Sequence, residues 1–299
     1  MCQVLTGNSL AYEMTHATLS WHVGVETGVY DPVVIDFSGR SLVFDIDGTL
    51  CFDGRTVDHR ILAALADCER AGHSLVFASA RPVRDLLPVL DGAFPSAVLI
   101  GGNGSLVSVG GRVRARAAFD SVVLGAFLEA VARYDARYLA DGPWDYAYTG
   151  PEDHPITSRV DQGGLARRVD LAELPEVVKL LVVGASDLAA CAEAGRELGL
   201  TVNHHLDEAI VDLAPASTTK WDALTALGIS TYVAFGNDIN DLDLLRNAER
   251  AVRVGAHPSL EGVAHVTVPA DPAAVAAEIS RLARAARPDA LPDLTGAGG

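Results

Sequence analysis

Between residues 41 and 100 the chain repeats one pattern, and that pattern limits the fold more than any other feature. "SLVFDI" (41–46), "SLVFA" (74–78) and "SAVLI" (96–100) are short, continuous apolar runs. Such runs suit strands buried on both faces, as in a parallel sheet. Between the first two, Ile61, Leu62, Leu65 and Ala66 fall at helical spacing within residues 57–71, and Gly72 supplies a stop. Between the second and third, "PVRDLLPVL" reads as a short helix interrupted by Pro88. The β-α-β-α-β series predicts an α/β fold with a doubly wound, Rossmann-like parallel sheet.

The series then breaks. "SLVSV-GGR-VRARAAF" (105–119) places two alternating runs around a Gly-Gly turn, which predicts a hairpin. A helix follows over 121–134, then a loop-rich stretch with Trp144, Tyr146 and Tyr148 in alternation, then strand, helix and strand over 177–205. From "AIVDLAP" (209–215) the parallel pattern resumes, with helices over 218–228, 241–249, 259–263 and 272–286. We therefore expect a core built from 41–105 and 208–286 and an inserted α+β cap unit at 106–207. Residues 1–40 read as an N-terminal extension and 287–299 as a tail.

Composition excludes some functions. A net charge of −16 disfavours non-specific binding of nucleic acid or anionic lipid, so an anionic substrate needs positive charge supplied locally. The cysteines, Cys2, Cys51, Cys68 and Cys191, show no C-x-x-C spacing, which fits a reducing cytoplasm. No Lys or Arg precedes Arg40, and no apolar run approaches a membrane span. The expectation is a cytoplasmic monomer or homodimer with no nucleic-acid or membrane partner.

Ligands on open α/β sheets bind beyond the carboxyl ends of the strands, so the polar residues there carry the functional signal. The first strand ends in "FDIDGTL", where Asp45 and Asp47 lose hydration and repel each other unless a cation or a proton is shared. Gly48 permits a tight turn and Thr49 can hold it. The second strand ends in "FASARP", offering Ser79 and Arg81; the third in "LIGGNGSL", with Asn103 among glycines. Lys220 and Lys179 are the only lysines, and Lys220 opens a helix where the dipole disfavours it. "TYVAFGNDIND" ends another strand with Asn237, Asp238, Asn240 and Asp241.

Acid pair, hydroxyl, lysine and amide/acid cluster together fit phosphoryl transfer through a carboxylate nucleophile. Asp45 would attack phosphorus and Asp47 would act as acid and base. Ser79 and Lys220 would clamp the equatorial oxygens. A magnesium ion, Mg2+, would be held by Asp45, the Asp47 carbonyl and the 235–241 loop.

"DIDGTL" (45–50), "SAR" (79–81), "NG" (103–104), Lys220 and "GNDINDLDLL" (236–245), in this order, resemble the motifs of haloacid dehalogenase (HAD) superfamily phosphatases of the Cof type, subfamily IIB, with a C2 cap. The resemblance spans about residues 41–285. It implies an HAD-type core and hydrolysis of a small phosphorylated metabolite, such as a sugar phosphate, through an aspartyl-phosphate. A phosphomutase, a phosphotransferase or a non-catalytic phospho-ligand binder of the same superfamily is the alternative. Asp45, Asp47, Ser79 and Lys220 would be catalytic. Gly48, Thr49, Arg81, Asn103, Lys179 and Asn240 would meet the substrate. Asp45, Asp47, Asn237, Asp238 and Asp241 are the candidate metal ligands. Three residues depart from the family pattern: Ala80 and Trp221 stand where glycine is usual, and Asn237 stands where a metal-ligating aspartate is common. Whether Asn237 or Asp238 holds the metal stays open. Lys179 has a second reading, as a solvated strand end.

Overall fold

The computed structural model describes residues 24–25, 40–205 and 209–285. The tail at 287–299 and nearly all of the 1–40 extension lie outside the described residues.

Strands β1 (Gly24–Val25), β2 (Ser41–Phe44), β3 (Ser74–Ala78), β4 (Val98–Gly101), β5 (Leu106–Val109) and β6 (Arg112–Ala115) build one half of a large sheet. Helices α1 (His59–Arg70) and α2 (Val83–Val89) make the crossovers between β2, β3 and β4. A second, five-stranded antiparallel sheet follows: β7 (Arg137–Asp141), β8 (Tyr146–Tyr148), β9 (Lys179–Gly184), β10 (Thr201–His205) and β11 (Ile210–Ala214). Helices α3 (Ser121–Ala132) and α4 (Leu188–Glu197) belong to this unit, with Phe127, Val131, Cys191 and Ala192 in its core. The chain then returns through α5 (Lys220–Ala226), β12 (Tyr232–Gly236), α6 (Leu242–Arg246), β13 (Arg250–Val254), β14 (Val266–Val268) and α7 (Pro272–Ala285).

The large sheet has the order β1-β6-β5-β4-β3-β2-β12-β13-β14, and β2, β3, β4, β12, β13 and β14 run parallel. Side chains alternate across it with the two-residue period of a strand. Leu42 and Phe44 pack under α1, α2 and α7 with Ile61, Leu65, Leu86 and Ile279. Val43 faces the other way, onto Leu224 of α5 and Leu244 and Leu245 of α6. Both faces are covered, which explains the unbroken apolar runs. Cys51, Cys68 and Cys191 are buried free thiols. No helix among the described residues is long and apolar enough to cross a membrane.

Three strands lie elsewhere than the sequence suggested. The β5–β6 hairpin, expected in the 106–207 insertion, extends the large sheet instead: β5 pairs antiparallel with β4, and Leu106 and Val113 are fully buried. It satisfies the open edge of β4, which a buried sheet edge requires. Conversely β11, expected in the parallel core, pairs antiparallel with β10 and β9. Pairing with the strand just before it closes a short loop, which costs less entropy than crossing to the distant sheet. The helix expected at 259–263 is a single 3-10 turn, Pro258–Leu260.

Candidate active site

Because β2, β3, β4 and β12 are parallel, their carboxyl ends open on one side, and the five-stranded sheet stands over them. Between the two lies a cavity of about 660 Å³, lined by Asp45, Asp47, Ser79, Arg81 and Asn237 from below and by Lys179 and Asp212 from above.

Asp45 follows β2 directly and is fixed there by its own N–H, which donates to the Phe235 carbonyl of β12 at 3.0 Å. Lys220 reaches it from the first turn of α5. A capping box explains how a lysine can start that helix: the Thr219 hydroxyl accepts from Asp222 N at 3.1 Å, and Thr219 N donates to Asp222 Oδ2 at 3.0 Å. Lys220 Nζ donates to Asp45 Oδ1 at 2.5 Å and to Asp241 Oδ1 at 2.7 Å. All three groups are buried. Burial pushes the Asp45 carboxyl up to about 7, the Asp241 charge adds to this, and Lys220 opposes it. Burial also works against the Lys220 charge, but Asp241 and Asp45 outweigh it and hold the ammonium above its ordinary range. The proton therefore rests on the lysine. One ammonium between two carboxylates leaves the group one negative charge in excess.

The fit of a cation can be judged at Asn237. One terminal atom of its amide lies 2.9 Å from Asp45 Oδ2 and 3.0 Å from both the Asp47 carbonyl and Thr49 Oγ1. With nitrogen at that position, the amide donates to all three. With oxygen there, Thr49 Oγ1 donates to it at 3.0 Å, and the oxygens of Asp45, Asp47 and Asn237 are left facing one another. An octahedral ion with bonds of about 2.1 Å sets neighbouring ligand oxygens about 3.0 Å apart, the spacing of the Asn237 atom from the Asp45 and Asp47 oxygens. Gly48, at φ 80°, keeps this corner open: a Cβ there would lie 2.3 Å from the Asn237 amide nitrogen. Among the described residues, no three His, Cys, Asp or Glu side chains gather where a metal could sit. The oxygens that do gather come from one carboxylate, one main-chain carbonyl and one amide.

The other two candidate ligands are engaged elsewhere. Asp238 Oδ1 accepts from Ile239 N at 2.6 Å and faces His257 Nε2 at 3.4 Å. Asp241 spends Oδ1 on Lys220, and its Oδ2 accepts from the main-chain N–H groups of Asn237 at 2.9 Å and Asp238 at 3.2 Å.

Asp47 projects into the cavity and is gripped by Arg81, whose Nε and Nη2 donate to its two oxygens at 2.8 and 2.5 Å. Arg81 also donates to the Gly54 carbonyl at 2.8 Å. Ser79 is buried, and its hydroxyl accepts from Arg81 N at 3.1 Å. Asn103, at φ 54°, donates through Nδ2 to Asp212 Oδ2 at 3.3 Å and accepts from Asn240 Nδ2 at 3.4 Å. Lys179 is not a solvated strand end. It is 5% exposed, donates to the Ala80 carbonyl at 2.7 Å and pairs with Asp212 Oδ2 at 3.1 Å.

Four residues that the sequence reading passed over stand in this cleft. Asp212 of β11 is the first. Arg84 of α2 is the second: it is 1% exposed, donates to the Trp144 carbonyl at 2.9 Å and pairs with Asp141 at the end of β7. Asp85 beside it accepts from Asp161 N at 2.9 Å. Burial pushes the Asp85 carboxyl up to about 6, against the pull of Arg84. A carboxylate inside the apolar run "IVDLA" was the available signal for Asp212; Arg84, Asp85 and Asp141 carried none.

Residues 42–279 match the family model described as haloacid dehalogenase-like hydrolase. The chain belongs to that family. Among curated proteins, this hydrolase is 26% identical over 237 residues to an HMP-PP phosphatase from Citrobacter koseri, covering 74% of this chain and 86% of the relative. Among solved structures, a haloacid dehalogenase-like hydrolase from Bacteroides thetaiotaomicron matches with a TM-score of 0.69 at 20% identity, covering 81% of this chain and 99% of that one. A sugar phosphatase of HAD subclass IIB matches with a TM-score of 0.63 at 18% identity, covering 81% and 98%. At these identities the structural matches speak for the fold, an α/β core with the second sheet inserted.

Proposed function

We propose that this hydrolase is a metal-dependent phosphatase that releases inorganic phosphate from small phosphorylated metabolites by way of an aspartyl-phosphate. The observation that carries the reading is the convergence at Asp45: one carboxylate oxygen on the Lys220 ammonium, the other beside the Asp47 carbonyl and the Asn237 amide, all at the floor of the cavity. A divalent cation, for which Mg2+ is our reading, would be held by Asp45, the Asp47 carbonyl and Asn237, and would supply positive charge to the phosphate oxygens.

Lys220 orients Asp45 and opposes the protonation of its attacking carboxylate that burial favours. Asp45 forms a bond to phosphorus as the ester P–O bond breaks, and Asp47, entering the step as the carboxylic acid with one oxygen released by Arg81, gives the departing alkoxide its proton. Asp47 then takes a proton from the water that attacks the aspartyl-phosphate, and Asp45 leaves as a carboxylate. Arg81 holds the Asp47 side chain at the cavity, while Ser79 stands at the adjacent strand end to hydrogen-bond a phosphate oxygen. A site built chiefly to hold phosphate suits substrates whose other end is read by the five-stranded sheet.

The test is phosphate release from p-nitrophenyl phosphate with and without Mg2+, followed by a panel that includes HMP-PP and sugar phosphates, the substrates named for a relative and a solved neighbour. Asp45→Asn should abolish turnover, and Asp47→Asn should lower it by about 10²–10⁴. Undiminished turnover in either variant overturns the mechanism.

A further inference from the structure

The loop "SAR" after β3 spends three successive carbonyls on hydrogen bonds. The Ser79 carbonyl accepts from Asn103 N at 3.0 Å and the Arg81 carbonyl from Gly102 N at 2.8 Å, both from the loop after β4. The carbonyl between them, Ala80, accepts from Lys179 Nζ, a side chain of the other sheet. Lys179 is paired with Asp212, Asp212 accepts from Asn103, and Asn103 accepts from Asn240. These contacts link three strand-end loops of the core through two residues of the five-stranded sheet.

The arrangement is poor as a stability device. Burying an ion pair costs desolvation that its attraction seldom exceeds. Here Asp212 Oδ1 and Asn240 Oδ1 are also buried without partners. Each such orphan costs about 1–3 kcal/mol. A cost of that kind on the wall of a cavity points to a role in the site.

Resting on the phosphatase reading, we infer that Lys179 and Asp212 are positioning residues: together they set the peptide of Ala80, and with it the Ser79 hydroxyl and the Arg81 side chain that holds Asp47. They act on the core through the loops, so among alkyl phosphates their effect does not depend on the size of the leaving group. This departs from the expectation that Lys179 touches substrate. A substrate contact would matter only for esters large enough to reach β9.

Methyl phosphate, whose leaving group is a small alkoxide, and a hexose phosphate separate the two roles. Lys179→Met should lower kcat for both by about tenfold or more while KM moves little, since small misplacements of reacting groups are costly. Asp212→Leu should do the same, and Asp212→Asn, which keeps an acceptor oxygen for Lys179 and Asn103, should recover most of the kcat that Asp212→Leu loses. If Lys179→Met does not fold, the two Asp212 variants carry the test. Loss confined to the hexose phosphate, a rise in KM with kcat intact, or no advantage of Asn over Leu at 212 overturns the inference. A wild type that turns over neither ester overturns instead the phosphatase reading beneath it.

Discussion

Lys220 Nζ lies 2.7 Å from Asp241 and 2.5 Å from Asp45, so one buried cation joins the loops that follow β2 and β12. Removing it leaves two carboxylates facing each other without a counter-charge. Lys220→Met should lower unfolding free energy by about 3–5 kcal/mol and abolish phosphatase turnover. Denaturant titration and phosphate release check the two effects, and a variant as stable as wild type would contradict the buried-pair account.

Asn237 stands against Asp45 Oδ2 and the Asp47 carbonyl. Asn237→Asp places a second carboxylate there, which repels Asp45 in the metal-free protein and adds a charged ligand in the loaded one. The rise in melting temperature on adding Mg2+ should therefore be larger in the variant than in wild type. Equal rises would show that residue 237 does not meet the ion.

Asp85 predicts a pH dependence. Its carboxyl faces Arg84 on its own helix, Asp141 of β7 and Asp161 of the loop between β8 and β9, and burial raises it from an ordinary 3.8 to about 6. An unfolded chain releases this proton near pH 4, so between pH 4 and 6 the unfolded state gains progressively. Above pH 6 the ionised residue costs about 3 kcal/mol that is absent below pH 4. The stability of Asp85→Asn relative to wild type should rise by that amount from pH 4 to 7. A difference that stays constant across this range would contradict it.

Arg84 and Asp141 join α2 to β7 and are both buried. Asp141→Leu alone should destabilise by about 3–5 kcal/mol, because it removes the nearer carboxylate of a buried guanidinium and leaves it only Asp85 and the Trp144 carbonyl. Arg84→Met combined with Asp141→Leu should cost clearly less than the sum of the two single changes, as measured by a double-mutant cycle.

The strand-end residues were legible because a charge on a buried apolar run is costly and therefore informative. Asp45 announced itself in that way, and Lys220 by opening a helix where the dipole disfavours a cation. Asp212 carried the same signal, but its partners Lys179 and Asn103 lie far off in sequence, so nothing local gave it meaning. Arg84 and Asp85 looked like ordinary helix-surface charges; only the sheet above them buries them. Alternation in β5 and β6 and the apolar run of β11 revealed strands but not which sheet each would join, since that is settled by available edges and loop closure. The positions of Asn237 and Asp238 were not legible, because they depend on side-chain direction: Asn237 lies against the Asp45 oxygen, and Asp238, which also lines the cavity, accepts from Ile239 N.

The β5–β6 hairpin has a consequence of parity. The chain leaves β4 at the end of the sheet where the carboxylates stand, reverses into β5 and reverses again into β6. Two reversals return it to the same end, and only there does it depart for the five-stranded sheet. With one added strand, or three, the departing chain would emerge at the opposite end of the sheet, and the second sheet would close over the wrong side. The number of strands the chain adds between β4 and its departure for the second sheet must therefore stay even.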